Sequence, residues 1–215
     1  MPVIPAGRRQ ILVPDHSPLE IYPPRDAPTP APLTVVLHSM CAGPVDICDF
    51  WQDDGRAGSW LTCLAGNVRC GDAFDWSGPT EERTAAVDAQ LAALEQAYGA
   101  LIDHEGGDVL VGFSRGAFMA RDLAYARPGR VRGVVFLGAA VRPDATRFRD
   151  AGVARVVLGA GEYDGAAPSM RRSVAELAAR GVEARYVSLG RIGHTVPGNL
   201  GPVVRQAVAW IRGGG

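Results

Sequence analysis

The segment VLVGFSRG, residues 109–116, decides how this chain folds. Its first five residues are apolar or glycine, as in a strand buried on both faces of a sheet, and residues 115–126 carry apolar side chains at helical spacing. Gly112 and Gly116 stand two residues on either side of Ser114, where side chains would clash in a tight strand-to-helix turn. The segment therefore predicts a sharp turn that lifts the Ser114 hydroxyl clear of the backbone.

Ser114 is consequently the first candidate catalytic residue. The letters GxSxG alone are weak, because the chain contains 27 glycines, and a serine before a helix is often only the N-terminal cap of that helix. The predicted strand before the turn and the predicted helix after it favour the interpretation that Ser114 is a nucleophile.

Strands and helices alternate on both sides of this segment, which is typical of βαβ units in a mostly parallel sheet. The predicted strands are Leu33–His38, Trp60–Ala65, Asp108–Phe113, Val131–Leu137, Ala154–Leu158 and Ala184–Leu189. The predicted helices are Thr80–Tyr98, Arg115–Ala126, Pro168–Arg180 and Pro202–Ile211. Two earlier extended runs, Gln10–Val13 and Leu19–Tyr22, predict an antiparallel N-terminal hairpin or meander. We expect a single α/β domain over residues 1–215 with a doubly wound sheet.

The hydroxyl of Ser114 needs a general base within hydrogen-bonding reach before it can act as a nucleophile. Where a serine on such a turn is the nucleophile, an acid and then a histidine follow it along the chain. Of the four histidines, His16, His38 and His104 precede the serine and only His194 follows it. His194 comes after the last predicted strand, at the edge of the sheet where ligands bind. The order of these residues predicts that His194 is the base, whereas an isolated loop histidine is usually a solvated side chain.

Asp164 is the predicted acid of the site. It lies in the segment LGAGEYDGAAP, residues 158–168, directly past a strand end. Its carboxylate would fix the imidazole tautomer and stabilise the imidazolium formed during attack. Glu162 is the alternative. Asp144 and Asp150 follow the preceding strand and are weaker candidates, because such residues are mostly solvated surface groups.

Acyl transfer also needs N–H donors aimed at the developing oxyanion, usually two backbone amides. The amide of Arg115, directly after the serine, is one predicted donor. The other is expected from the loop after the first parallel strand, where Met40 is favoured and Ser39 is the alternative. The side chain of Met40 is then free to shape an acyl pocket or to pack.

Aromatic residues supply the remaining pocket candidates. Trp51, Trp60 and Trp76 could line an acyl or aryl pocket, although a buried tryptophan is by default part of the core. Trp76 and Ser39 are the two residues predicted to bind substrate.

These residues together resemble the α/β-hydrolase superfamily, and the similarity covers nearly the whole chain from residue 33 onward. Residues 38–40, HSM, look like an HGx oxyanion segment in which Ser39 replaces the usual glycine, and residues 112–116 match the nucleophile turn. Residues 161–168 and the pair Gly193-His194 are similar to the acid and histidine segments of small carboxylesterase, phospholipase-type and dienelactone-hydrolase branches.

The resemblance implies hydrolysis of esters or thioesters through an acyl-enzyme, with no cofactor or metal and with a small-molecule ester as substrate. Little chain separates Ser114 from Asp164, so we expect a minimal lid or none. A thioesterase or a peptidase would use the same three residues, and a non-catalytic binding protein on the same fold is the alternative from another class.

Four cysteines, Cys41, Cys48, Cys63 and Cys70, fall within one thirty-residue window without any CxxC pair, so no zinc pattern fits. Disulfides are favoured over reduced half-buried thiols, and with them a periplasmic or secreted location over a cytoplasmic one. Three pairings are possible, of which Cys41–Cys48 with Cys63–Cys70 is the most local.

Composition narrows the classes of partner. The chain has 47% hydrophobic and 21% charged residues, which is ordinary for a globular protein. A formal net charge of −1 with scattered charges makes nucleic acid an unexpected partner. Apolar runs approaching the roughly 20 residues of a membrane span are absent from the sequence, as is the apolar stretch of an N-terminal signal peptide. The oligomeric state is left open.

Overall fold

A mixed β-sheet forms the centre of the molecule in the computed structural model, which describes residues 7–25, 27, 29–50, 52–198 and 200–214. The strands are β1 (Arg9–Ile11), β2 (Leu19–Tyr22), β3 (Ala31–Leu37), β4 (Trp60–Leu64), β5 (Val68–Cys70), β6 (Ala73–Asp75), β7 (Ile102–Asp103), β8 (Asp108–Phe113), β9 (Val131–Leu137), β10 (Arg155–Ala160) and β11 (Glu183–Ser188). The helices are α1 (Pro44–Asp49), α2 (Gln52–Gly55), α3 (Thr80–Tyr98), α4 (Arg115–Ala126), α5 (Ala145–Asp150), α6 (Ala167–Ala178) and α7 (Leu200–Ile211).

The strand order in the main sheet is β1-β2-β4-β3-β8-β9-β10-β11, with β7 paired to the start of β3. Strands β4, β3, β8, β9, β10 and β11 are parallel to one another, whereas β1 and β2 run antiparallel at one edge. Strands β5 and β6 form a separate two-stranded hairpin. The predicted doubly wound, mostly parallel sheet with antiparallel N-terminal strands is therefore confirmed.

Helices cover both faces of the sheet. Successive residues of a strand point to opposite faces. Leu110 of β8 therefore belongs to the core cluster that includes residues of α3 to α6, whereas Val109 and Val111 belong to the cluster that includes residues of α1 and α7. Burial on both faces explains why the central strands are apolar along their whole length. Because the strands are parallel, the loops at their carboxyl ends gather at one edge of the sheet.

Each predicted strand and helix lies within two residues of its observed bounds, and the elements that were not predicted are short. Strands β8 and β9 and helices α3 and α4 begin and end at the predicted residues. The hairpin β5–β6 and the short helices α1, α2 and α5 were not predicted, because each is too short to show a repeating apolar pattern. None of the described helices is long and apolar enough to cross a membrane.

Two disulfides connect the four cysteines in a nested arrangement. Cys41 bonds to Cys70 with a Cα–Cα distance of 5.3 Å, and Cys48 bonds to Cys63 at 6.2 Å. The local pairing Cys41–Cys48 with Cys63–Cys70 is wrong, because α1 packs its cysteine onto β4 while the residue after Cys41 pairs with β6. Both disulfides are compatible with an extracytoplasmic protein.

Candidate active site

Ser114 lies on the turn between β8 and α4 with its backbone at φ 54° and ψ −117°, a conformation that residues other than glycine rarely adopt. The turn is held because the Ser114 N–H donates to the Leu137 carbonyl at 2.8 Å. A Cβ at Gly112 would collide with the carbonyl of Gly116, and a Cβ at Gly116 would collide with that of Leu37. Both glycines are therefore required by close backbone contacts, as the sequence predicts.

His194 and Asp164 lie in line with the serine. The Ser114 Oγ is 3.0 Å from His194 Nε2, and His194 Nδ1 is 2.9 Å from Asp164 Oδ2. A carboxylate can only accept, so Nδ1 carries the ring proton and Nε2 is free to accept from the serine hydroxyl. The imidazole also stacks on Phe113 with ring centroids 5.4 Å apart. This arrangement can pass a proton from the serine to the histidine.

The acid loop and the histidine loop meet through backbone contacts. The N–H of Glu162 donates to the Gly190 carbonyl at 2.9 Å, and the N–H of Tyr163 donates to the Ile192 carbonyl at 3.0 Å. Gly161 permits this approach, because a Cβ there would collide with the same Ile192 carbonyl. The two loops are thus fixed against each other before any substrate binds.

The alternative acids lie elsewhere. Glu162 accepts from the Ser188 hydroxyl at 3.3 Å on the surface, Asp144 caps the start of α5, and Asp150 is exposed. Asp164 by contrast is 7% exposed and accepts from the N–H of Ala166 at 2.8 Å with its second oxygen. It is the carboxylate in contact with the imidazole.

Of the two predicted oxyanion donors, Met40 lines the cleft that contains Ser114, and Arg115 directly follows that serine. Helix α4 begins at Arg115, so the N–H of that residue has no partner inside the helix. Ser39 and Met40 follow β3 and line a cleft of about 430 Å³ that also contains Ser114 and His194. The remaining walls of this cleft are Phe50, Phe113, Thr195 and Val196.

Solved structures of the same architecture exist although no family model and no curated protein matches this chain. A carboxylesterase from Mesorhizobium loti superposes with a TM-score of 0.69, at 23% identity over 93% of this chain and 98% of that chain. The fluorophosphonate-binding serine hydrolase F of Staphylococcus aureus, with substrate bound, gives 0.70 at 10% identity over 95% and 97%. A carboxylesterase from Bacillus cereus gives 0.63 at 18% identity over 90% and 92%.

The chain has the α/β-hydrolase fold. In open α/β sheets ligands bind outside the carboxyl ends of the strands. Ser114, Asp164 and His194 follow β8, β10 and β11, so all three come from that edge. No lid covers the cleft in the part of the chain that the structure describes.

The tryptophans that the structure describes are buried in the core, and none of them lines the cleft. Trp76 is 2% exposed and its indole N–H donates to the His38 carbonyl at 2.9 Å, so it is bound to the loop after β3 and does not line the cleft as predicted. Trp60 is fully buried and stacks on Tyr98. Trp51 lies outside the described residues.

Phe50 is one of four cleft residues that were not predicted from the sequence, the others being Phe113, Thr195 and Val196. Phe50 follows α1 and is 54% exposed, and Met40 is 55% exposed. Such exposure is unusual for large apolar side chains. An isolated phenylalanine in a segment without periodicity gives no signal that it faces a site. Among the described residues, His, Cys, Asp and Glu form no cluster of three that could hold a metal ion.

Proposed function

We propose that this chain is a serine hydrolase that cleaves carboxylic esters through an acyl-enzyme, with Ser114 as nucleophile, His194 as general base and Asp164 as the orienting acid. The continuous hydrogen-bonded line from Ser114 through His194 to Asp164 carries the proposal. The solved structures of similar fold support ester hydrolysis, since carboxylesterases and a fluorophosphonate-binding serine hydrolase are among them.

Each residue has one task in this mechanism. His194 Nε2 takes the hydroxyl proton while the Ser114 oxygen attacks the ester carbonyl carbon, and Asp164 remains ionised beside the imidazolium. The N–H groups of Arg115 and Met40 stabilise the oxyanion. The imidazolium then gives its proton to the departing alcohol, and water releases the acid by the same steps with His194 again as base.

The walls of the cleft indicate the class of substrate. Met40, Phe50 and Val196 give the cleft apolar sides. An acyl chain that covers these side chains removes apolar surface from water, which favours binding. An open cleft of about 430 Å³ accommodates a small or medium acyl group. We therefore propose a small-molecule ester with an apolar acyl chain. Thioesters would react by the same steps and belong in the same substrate panel.

Labelling with a fluorophosphonate tests the nucleophile. We expect covalent labelling of the wild type and of Ser169→Ala, a serine on α6 away from the cleft, and none of Ser114→Ala. The same variant should lose at least about 10³-fold in kcat on p-nitrophenyl butyrate, because the covalent route is removed. Failure of the wild type to label would favour a binding protein on this fold.

A further inference from the structure

Residues 66–76, which include the hairpin β5–β6, contact both loops that carry the proposed oxyanion amides. We name this segment the bracket. It follows β4, precedes α3 and contains Cys70. Its contacts divide into those made to residues 38–42 after β3 and one made to the start of α4.

The loop of Met40 is attached to the bracket on its C-terminal side. Cys41 forms the disulfide with Cys70, and Ala42 and Phe74 exchange both of their backbone hydrogen bonds at 3.1 Å. Cys41 has a positive φ of 49°, which these two attachments hold in place. The residues directly after Met40 therefore cannot move without the hairpin.

His38 attaches the same loop on its N-terminal side. The ring is fully buried, and its Nε2 accepts from the N–H of Gly66 at 2.8 Å. Because Nε2 accepts, Nδ1 carries the proton and donates to the Ser39 carbonyl at 2.6 Å. The indole of Trp76 donates to the His38 carbonyl from the other end of the bracket.

This inward hydrogen bond determines where the Met40 amide points. The peptide between Ser39 and Met40 is planar, and in a trans peptide the carbonyl and the N–H point in opposite directions. Since the carbonyl turns inward to His38, the N–H of Met40 turns outward, toward the cleft that both residues line. The buried imidazole thus sets the direction of a proposed oxyanion donor.

The second proposed donor is attached to the bracket by an ion pair. Arg115 Nη1 lies 2.6 Å from Asp75 Oδ2, and Asp75 is held in turn because its Oδ1 accepts from the N–H of Trp76 at 2.8 Å. The Asp75 side chain is only 13% exposed, so solvent screens this pair incompletely. The start of α4 and the loop after β3 are therefore fixed to one common support.

We propose that the bracket is a positioning element that fixes the N–H groups of Met40 and Arg115 relative to each other before substrate binds. This inference rests on the proposed function, because it needs the oxyanion those amides would stabilise. The oxyanion exists only in the transition state and the intermediate, so a loosened bracket lowers kcat and kcat/KM by the same factor and leaves KM unchanged.

Removing each disulfide separately tests the bracket. Cys41→Ala with Cys70→Ala frees the Met40 loop, whereas Cys48→Ala with Cys63→Ala removes a disulfide that does not touch the bracket. On p-nitrophenyl acetate we expect the first variant to lose about 10-fold in kcat and kcat/KM, less than the 10²–10³-fold cost of losing a donor outright. The second should stay within about 2-fold of the wild type, because its oxyanion amides are unaffected.

An alkyl boronic acid gives a readout that a merely structural role would not move. It forms a tetrahedral adduct on serine whose oxygen occupies the oxyanion position, so its inhibition constant should rise about 10-fold in the Cys41 and Cys70 variant alone. If that variant does not fold, Asp75→Asn, which weakens the ion pair to Arg115, is measured in the same way with the same expected direction. Equal losses of kcat in both disulfide variants, or no loss of kcat in the variant that lacks Cys41 and Cys70, would overturn the inference.

Fluorophosphonate labelling separates this result from the proposed function. A wild type that is not labelled at Ser114 disproves the esterase proposal and the bracket with it. A wild type that is labelled, together with a folded bracket variant of unchanged kcat and boronate inhibition, disproves the bracket alone.

Discussion

His38 is fully buried, and the hydrogen bond that its Nε2 accepts from the N–H of Gly66 requires a neutral ring. Burial lowers its pKa below the ordinary 6.5, and the carbonyl of Ser39 and the charges of Asp75 and Asp46 offset only part of that effect. A protonated ring would also point a second N–H at the N–H of Gly66. A pH below neutrality should therefore weaken the attachment of the loop after β3 to His38 and Gly66.

We predict that stability falls as the pH drops below about 6.5, because the unfolded chain then binds a proton that folded His38 does not. The contribution is complete above pH 6.5 and is lost toward the lower folded pKa, at up to about 1.4 kcal/mol for each pH unit. Urea unfolding between pH 7.5 and 5 measures it. The slope should be shallower in His38→Asn, and an unchanged slope contradicts the prediction.

Two amide substitutions separate the hydrogen bonds of His38. An asparagine N–H reaches roughly where Nδ1 lies, and a glutamine carbonyl reaches roughly where Nε2 lies. We expect His38→Asn to retain more kcat than His38→Gln at equal folded fraction, because only the former still donates to the Ser39 carbonyl. Ester hydrolysis at pH 7.5 compares them, and the reverse order would argue against control of the Met40 amide by this bond.

At the scale of elements, helix α4 approaches the end of β3 through Gly116. A Cβ there would meet the carbonyl oxygens of Leu37 and His38, which belong to a backbone that cannot yield without moving the sheet. We predict that Gly116→Ala destabilises the fold by about 3 kcal/mol. Gly106→Ala, which has open space around it, should stay within about 0.5 kcal/mol. Thermal unfolding of both variants measures the two changes in stability, and similar losses of stability in Gly116→Ala and Gly106→Ala would contradict the prediction.

The elements that could be predicted from sequence are those whose own residues show a repeating apolar pattern. Strand β8 and helix α4 carry their apolar pattern over many residues, and the glycines around Ser114 mark the turn between them. The hairpin β5–β6 has strands of three residues and is held by distant partners, so no local pattern reveals it. The nested disulfides escaped prediction for the same reason, since they follow from where the hairpin packs.

The candidate site divides along the same line. The glycine-flanked turn selects Ser114, the end of a strand selects Asp164 and chain order selects His194, and the structure brings these side chains within hydrogen-bonding distance. The sequence cannot distinguish a tryptophan buried in the core from one that lines the cleft, which is why the prediction that Trp76 binds substrate does not match its buried position. Phe50 reaches the cleft only because α1 packs beside β4, a tertiary contact that its neighbours in sequence do not encode.

At the scale of the whole molecule, the cleft is open in the part of the chain that the structure describes, and Ser114 remains partly exposed. Its neighbours Met40 and Phe50 present apolar surface directly to solvent. An enzyme with a lid gains activity when an interface or a ligand moves that lid, whereas here no described segment has to move. Access to the serine should therefore not depend on the physical state of the substrate.

We predict that hydrolysis of p-nitrophenyl butyrate follows a simple saturation curve as its concentration passes the solubility limit, with any change of rate there below about 2-fold, because no conformational step precedes binding. Initial rates measured in clear solution and in emulsion at equal total ester test this. Phe50→Ala should raise KM for butyrate more than for acetate, since only the longer chain covers that wall. A sharp rise in rate at the solubility limit would mean that some segment covers the cleft in solution, and the open cleft would then be one state of a gated enzyme.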